Sequence, residues 1–132
     1  MNESNEKRLL EDFPHLYRRS SKTTTETSMS IGFQCGDGWF NLIYDLSQKI
    51  EARLKEEPAD FAEQFAVEQV KEKFGTLTYS ASGGSEIISR LIGEARARST
   101  KTCEACGKPG QLRRKKGFRQ ETLCDFCDAK TA

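Results

Sequence analysis

The chain has little with which to do acid–base chemistry, because His15 is the single histidine among its 132 residues. That removes most familiar catalytic layouts. A triad through His15 would need its nucleophile and acid gathered from elsewhere. Asp12 stands three residues away, an ordinary helical spacing, so packing accounts for His15 better than catalysis. Paired carboxylates at convincing positions and metal-hydrolase motifs are missing as well, and an enzyme is not expected. Nor does any apolar run approach the roughly 20 residues that span a bilayer. The first ten residues are polar and mixed in charge and do not read as a secretion signal. A cytoplasmic protein with no membrane partner and no small-molecule substrate is therefore expected. In a reducing compartment, paired cysteines hold metal more often than they form disulfides.

Hydrophobic residues make up 36% of the chain and charged residues 31%, which predicts a folded protein with a thin core. A metal cross-link is one way in which a small domain makes up that shortfall. The net charge of +1 is uninformative by itself, but its distribution is not. Residues 1–98 hold 13 Lys/Arg against 16 Asp/Glu, a balance of −3, and residues 99–132 hold 8 against 4, a balance of +4. The basic end is also the cysteine-rich end.

Three segments are expected. Residues 1–30 open with Leu9-Leu10-Glu11-Asp12-Phe13, broken at Pro14, and run on into the Ser/Thr-rich stretch Ser20–Ser28. They read as a flexible or extended arm. Residues 31–98 form the body. Leu42, Ile43, Leu46, Ile50 and Leu54 draw one helical stripe, with Asp37 placed to cap it and Pro58 marking its end. Phe61 and Phe65 lie on a short turn or helix. From Val67 to Ala81 the period falls to two around Gly75, which predicts a hairpin. After Ser82-Gly83-Gly84-Ser85 a second helix carries Ile87, Ile88, Leu91, Ile92 and Ala95 and ends among Arg96, Arg98 and Ser99. The fold class is α+β, two helices packed on a small antiparallel sheet, with a zinc module over residues 99–132.

Cys103-Glu104-Ala105-Cys106 and Cys124-Asp125-Phe126-Cys127 are two C-x2-C pairs with 17 residues between them. A two-residue gap lets one tight turn present two thiolates to one ion, and the intervening chain suffices for a hairpin. Gly107 follows Cys106 where such a turn commonly needs a positive φ. One structural Zn2+ is expected, closed by four thiolates and with no open position for chemistry; an iron–sulfur site or redox thiols are the alternatives. The module is a zinc ribbon, or a treble clef if the chain after Asp125 is helical. Between the pairs, Arg113, Arg114, Lys115, Lys116 and Arg119 surround Phe118 beside a turn at Gly117. Such a set can grip phosphates and stack a base. Its bland alternative is a solvated turn with Phe118 packed on the metal core.

Other residues are read more plainly. Cys35 precedes a helix N-terminus, where a thiol can become reactive, yet a small buried hydrophobe accounts for it better. Gly36-Asp37-Gly38-Trp39 is too short for a phosphate loop and lacks its lysine. Trp39 is either a core plug or an exposed binding anchor. Lys71-Glu72-Lys73-Phe74-Gly75 reads as a solvated edge, or as a contact face for a partner.

Taken together, Gly36-Asp37-Gly38-Trp39-Phe40, Val70-Lys71-Glu72-Lys73-Phe74-Gly75-Thr76-Leu77 and the two cysteine pairs resemble a set of small phage and prophage proteins. The resemblance spans most of residues 9–127. It implies a phage or mobile-element origin and carries no activity with it, so no functional residue is transferred. In some of those proteins a histidine stands near the second pair, which implies a metal site of the same kind with one ligand exchanged. Two functions are expected: binding to nucleic acid, or to a complex that handles it, through the basic hairpin; or a protein-directed inhibitor or adaptor, such as a counter-defence or immunity factor acting on a host protein complex through the acidic body and Trp39.

Overall fold

A computed structural model describes residues 1–21 and 32–130. Helix α1 spans Glu3–Asp12 and starts at Asn2, whose side-chain oxygen accepts the Asn5 N–H at 2.8 Å. That bond satisfies one of the donors a helix N-terminus leaves open. Leu9, Phe13, Leu16 and Tyr17 are buried in the main core. Over residues 1–21 the expected arm is therefore a packed element. The apolar positions recur at i, i+4, i+7 and i+8, and Pro14 ends the helix without ending the burial. The rest of the Ser/Thr-rich stretch, residues 22–28, lies outside the described residues, as do residues 29–31.

The body continues through β1 (Phe33–Gln34), α2 (Phe40–Leu54), α3 (Ala59–Gln64), β2 (Ala66–Lys73), β3 (Thr76–Ser82) and α4 (Glu86–Ser99). The stripe Leu42, Ile43, Leu46, Ile50 and Leu54 is buried along α2, which packs on α4. Helix α4 begins as expected at Ser85, whose hydroxyl accepts the Ile88 N–H at 3.3 Å. Strand order is β1-β2-β3, with β2 and β3 antiparallel and Phe33 of β1 opposite Val70 in a parallel pair. The sheet is thus mixed where a wholly antiparallel one was expected. Helices α2 and α3 form a crossover between β1 and β2, and a crossover returns the chain in its original direction.

Asp37 does not cap α2. A short 3-10 turn over Asp37–Trp39 leads into that helix, and the Asp37 carboxylate accepts the Asn2 N–H at 2.8 Å and the Asn5 Nδ2 at 3.1 Å. The bond from the Asn2 backbone, above all, holds this carboxyl below its usual range. Asp37 so ties α1 to the rest of the body. His15 is likewise structural, with its Nε2 at 2.8 Å from the Ala62 carbonyl. Strands β2 and β3 turn through Phe74 and Gly75 at φ 54° and 78°. Two positive φ values in a two-residue loop make the primed turn that matches strand twist. At the start of β3 the Leu77 N–H is taken by Ser99 Oγ at 2.9 Å, so the end of α4 covers that part of the sheet edge.

Beyond α4 lie β4 (Gln111–Arg114), β5 (Gln120–Leu123) and α5 (Asp125–Lys130), around a separate small core of Cys103, Leu123, Cys124 and Cys127. Two turns of the body seat this module. Gly38 N–H donates to the Glu104 carbonyl at 2.7 Å, Gly36 N–H to the Glu104 carboxylate at 2.9 Å, and Trp39 Nε1 to the Thr102 carbonyl at 2.9 Å. On the other side, Thr122 Oγ1 donates to the Gly75 carbonyl at 2.6 Å. The Gly36–Trp39 turn and the Phe74-Gly75 turn are therefore docking turns for the chain's own C-terminal module. Among the described residues, no helix is long and apolar enough to cross a membrane.

Candidate metal centre and basic hairpin

The first cysteine pair is held in a tight turn. Cys103 N–H donates to the Lys108 carbonyl at 2.7 Å, and Gly107 N–H donates to the Cys103 carbonyl at 2.9 Å with Gly107 at φ 84°. That conformation is open to glycine at little cost. The second pair enters α5: Asp128 N–H bonds the Cys124 carbonyl at 2.9 Å, and Cys127 N–H points at Cys124 Sγ at 3.4 Å. A knuckle, a hairpin and a helix that starts after Cys124 and carries Cys127 make a treble-clef arrangement. The helix after Asp125 distinguishes it from a plain ribbon.

The four Sγ atoms of Cys103, Cys106, Cys124 and Cys127 all lie within 4.8 Å of one another, with 3.7 Å between Cys106 and Cys124. Sulfurs bound at about 2.3 Å around a tetrahedral ion sit about 3.8 Å apart. The donor set therefore fits one metal ion. Three of the cysteines are buried and Cys106 is exposed. Burial works against the Cys103 thiolate, yet backbone donors of Cys124, Cys106 and Ala105 bring that thiol down to about 7. Burial, followed by the neighbouring thiols, pushes Cys127 up to about 12. Four sulfurs this close cannot all carry charge without a cation between them. The hydrophobic contribution to this core is slight: Leu123 is its only apolar member besides the cysteines among the described residues. Burying one leucine stabilises by about 1.5–3 kcal/mol, whereas a structural zinc contributes about 10–16 kcal/mol. Cys35, also buried, lies outside this cluster. Burial, and then the nearby Glu104, raises its thiol to about 12, and the side chain packs in the main core.

Strand alternation divides the basic run between two faces. Arg113 and Lys115 face α5. Arg113 reaches the Asp125 carboxylate at 2.6 Å and the Leu123 carbonyl at 3.2 Å, and both cations pair with Asp128. They brace the helix that carries Cys127, and Lys115 also lines the cleft beside the hairpin tip. Arg114 and Lys116 are exposed, and Arg119 is exposed while meeting Glu121 at 3.2 Å. Phe118 is 97% exposed at the hairpin tip, so it does not pack on the metal core. A cleft of about 130 Å³ there is lined by Arg114, Lys115, Gly117, Phe118, Arg119 and Gln120.

Trp39, read as a partner anchor in one of the two expectations, is 0% exposed. Its indole fills the core and its N–H holds the module, which removes it from any surface. Sequence reasoning gave no role to Glu104, Asp125 or Asp128. The two aspartates flank Cys127 at the spacing of one helical face, and cations two apart on a strand were their natural partners. Glu104 carried no such signal, because its partners lie 66–68 residues away in Gly36 and Gly38. Compared with protein families, curated proteins and solved structures, the chain finds no match.

Proposed function

We propose that this is a non-enzymatic, zinc-stabilised nucleic-acid-binding protein of phage or mobile-element type, working in the cytoplasm. Zinc is the metal that best suits four thiolates, a closed tetrahedron and no redox partner. The observation that carries the functional reading is the hairpin tip. An aromatic ring stands almost wholly in solvent at Phe118, with Arg114, Lys116 and Arg119 around it. Exposing a phenyl ring contributes nothing to a core, and cations beside it suit a ligand with phosphates and flat bases. The metal's part is to fix the strands that present this tip. A protein-directed inhibitor is less well supported, since the side chain chosen to anchor it is buried.

Salt dependence of binding tests the proposal. With three cations on phosphates, the logarithm of the association constant should fall against the logarithm of salt with a slope of about −2 to −3. Fluorescence anisotropy with labelled oligonucleotides reads this directly. A wild-type protein that binds no nucleic acid at low salt would leave the hairpin a solubilising turn.

A further inference from the structure

Phe74 is a second exposed aromatic ring, and the fold gains little from it. It lies at φ 54°, the left-handed region, and is the sole non-glycine residue at positive φ among the described residues. Bulky side chains avoid that region, at a cost of about 1–2 kcal/mol, and the first position of a primed two-residue turn favours asparagine. The ring is also 61% exposed. Backbone strain and an exposed ring at one residue point to a use outside the core. Lys73 adds a cation, its Nζ lying 5.8 Å from the ring centroid.

Phe74 is joined to the hairpin tip by one face of β4–β5. Leu112 lies opposite Thr122 and Arg114 opposite Gln120, so these four share a face by the two-residue period of a strand. At its near end Thr122 bonds Gly75, the neighbour of Phe74, and a Cβ on Gly75 would fall 2.4 Å from Leu112 Cδ1. At its far end Arg114 and Gln120 line the cleft beside Phe118. Leu112 itself is 46% exposed. The opposite face is the one closed by α5. Thr122 is buried beneath the Gly75 turn, and the exposed side chains come in order along the chain's turns: Lys73 and Phe74 at the near end, Leu112 and Arg114 between, Lys116 and Phe118 at the far end.

We infer that this surface is a track for single-stranded nucleic acid, with Phe74 and Phe118 as stacking platforms and the cations between and beside them on the phosphates. The inference rests on the reading of the hairpin tip given above and extends it by a second platform and by strand type. Stacking needs an unpaired base with a free face, which a duplex interior does not supply. The positive charge along the track complements a phosphate backbone.

The test uses the full, zinc-loaded chain with a labelled oligothymidylate of about 12 nucleotides, and a duplex of equal length as competitor. Phe74→Asn keeps the turn and relieves its strain; Phe74→Gly does the same without adding an amide. Both variants should melt at or above the wild-type temperature yet bind the single strand about 5- to 100-fold more weakly, and the duplex should compete poorly. Unchanged binding in both, with Lys116→Ala and Phe118→Ala weakened, would overturn the second platform and leave the tip reading standing. A duplex that competes as well as the strand would overturn the choice of strand. A lower melting temperature in both variants would show that Phe74 serves the fold, which also ends the inference. No binding by the wild type would remove the tip reading and this one together.

Discussion

Gly38 leaves no room for a methyl group. A Cβ there would sit 2.1 Å from the Cys103 carbonyl oxygen and 2.6 Å from the Glu104 carbonyl, both of them backbone atoms in the knuckle. Neither can swing aside as a side-chain tip would, so the seam must open. Gly38→Ala should cost about 3 kcal/mol, visible as a lowered denaturation midpoint and as faster amide exchange around Thr102–Gly107. Gly93 is the contrasting case, lying inside α4 with nothing within 4 Å of its would-be Cβ. Gly93→Ala should raise stability by about 0.5–1 kcal/mol through helix propensity alone. Cys35 allows a chemical check of the same kind. With its thiol buried and raised to about 12, it should resist alkylation at pH 8 in the folded chain and react only on unfolding. Counting modified thiols by mass spectrometry before and after denaturant reads this, and prompt labelling of the native protein would contradict the assignment.

The C-terminal hairpin shows how a strand sorts a charge run that looks uniform in one dimension. Arg113 and Lys115 meet Asp125 and Asp128 on α5, while Arg114 and Lys116 stay in solvent. Arg113→Ala or Lys115→Ala should therefore lower the melting temperature and loosen metal, with little change in the salt slope of binding. Arg114→Ala or Lys116→Ala should leave the melt alone and flatten that slope by about 0.7–0.9 each. Replacing all four together would mix the two effects and decide nothing. The alternation was present in the sequence, but it needed α5 to say which parity faced inward. Elements with a strong period of their own were readable in outline: α2 and α4 by their stripes, although Ile87 of the second stripe is exposed, and β2 and β3 by alternation about Gly75. What escaped had either no period or a broken one. Strand β1 has two residues, too few for any pattern. The N-terminal segment has its buried positions at Leu9 in α1 and at Phe13, Leu16 and Tyr17 beyond it, and Pro14 masked their continuity.

The cysteine pairs were readable because metal geometry is local and fixed by spacing. The seam beneath them was not, since Gly36, Gly38 and Gly75 meet partners at 47 to 68 residues' separation. That seam ties the candidate metal site to the whole chain and not to its tail alone. Gly38 bonds the Glu104 carbonyl between the first two ligands, and Trp39 reaches across to Thr102. Removing the ion should unlock the knuckle, and the turns that rest on it should lose their partners. Elemental analysis should find one zinc per chain; Cys103→Ser and Cys127→Ser should each lose it. On adding a chelator, amide protection should fall first over residues 100–130 and next at residues 36–39 and 74–76, with α2 and α4 persisting longest. Binding should also release protons, because Cys127 is raised to about 12 and must ionise to bind. Protons and metal compete for the same sulfurs, so affinity should rise with pH and fall on acidification. Titrating zinc into the reduced, metal-free chain in weak buffer measures both the stoichiometry and the proton count. Iron in place of zinc, or protection lost in the tail alone with residues 36–39 untouched, would separate the metal from the body that these hydrogen bonds join to it.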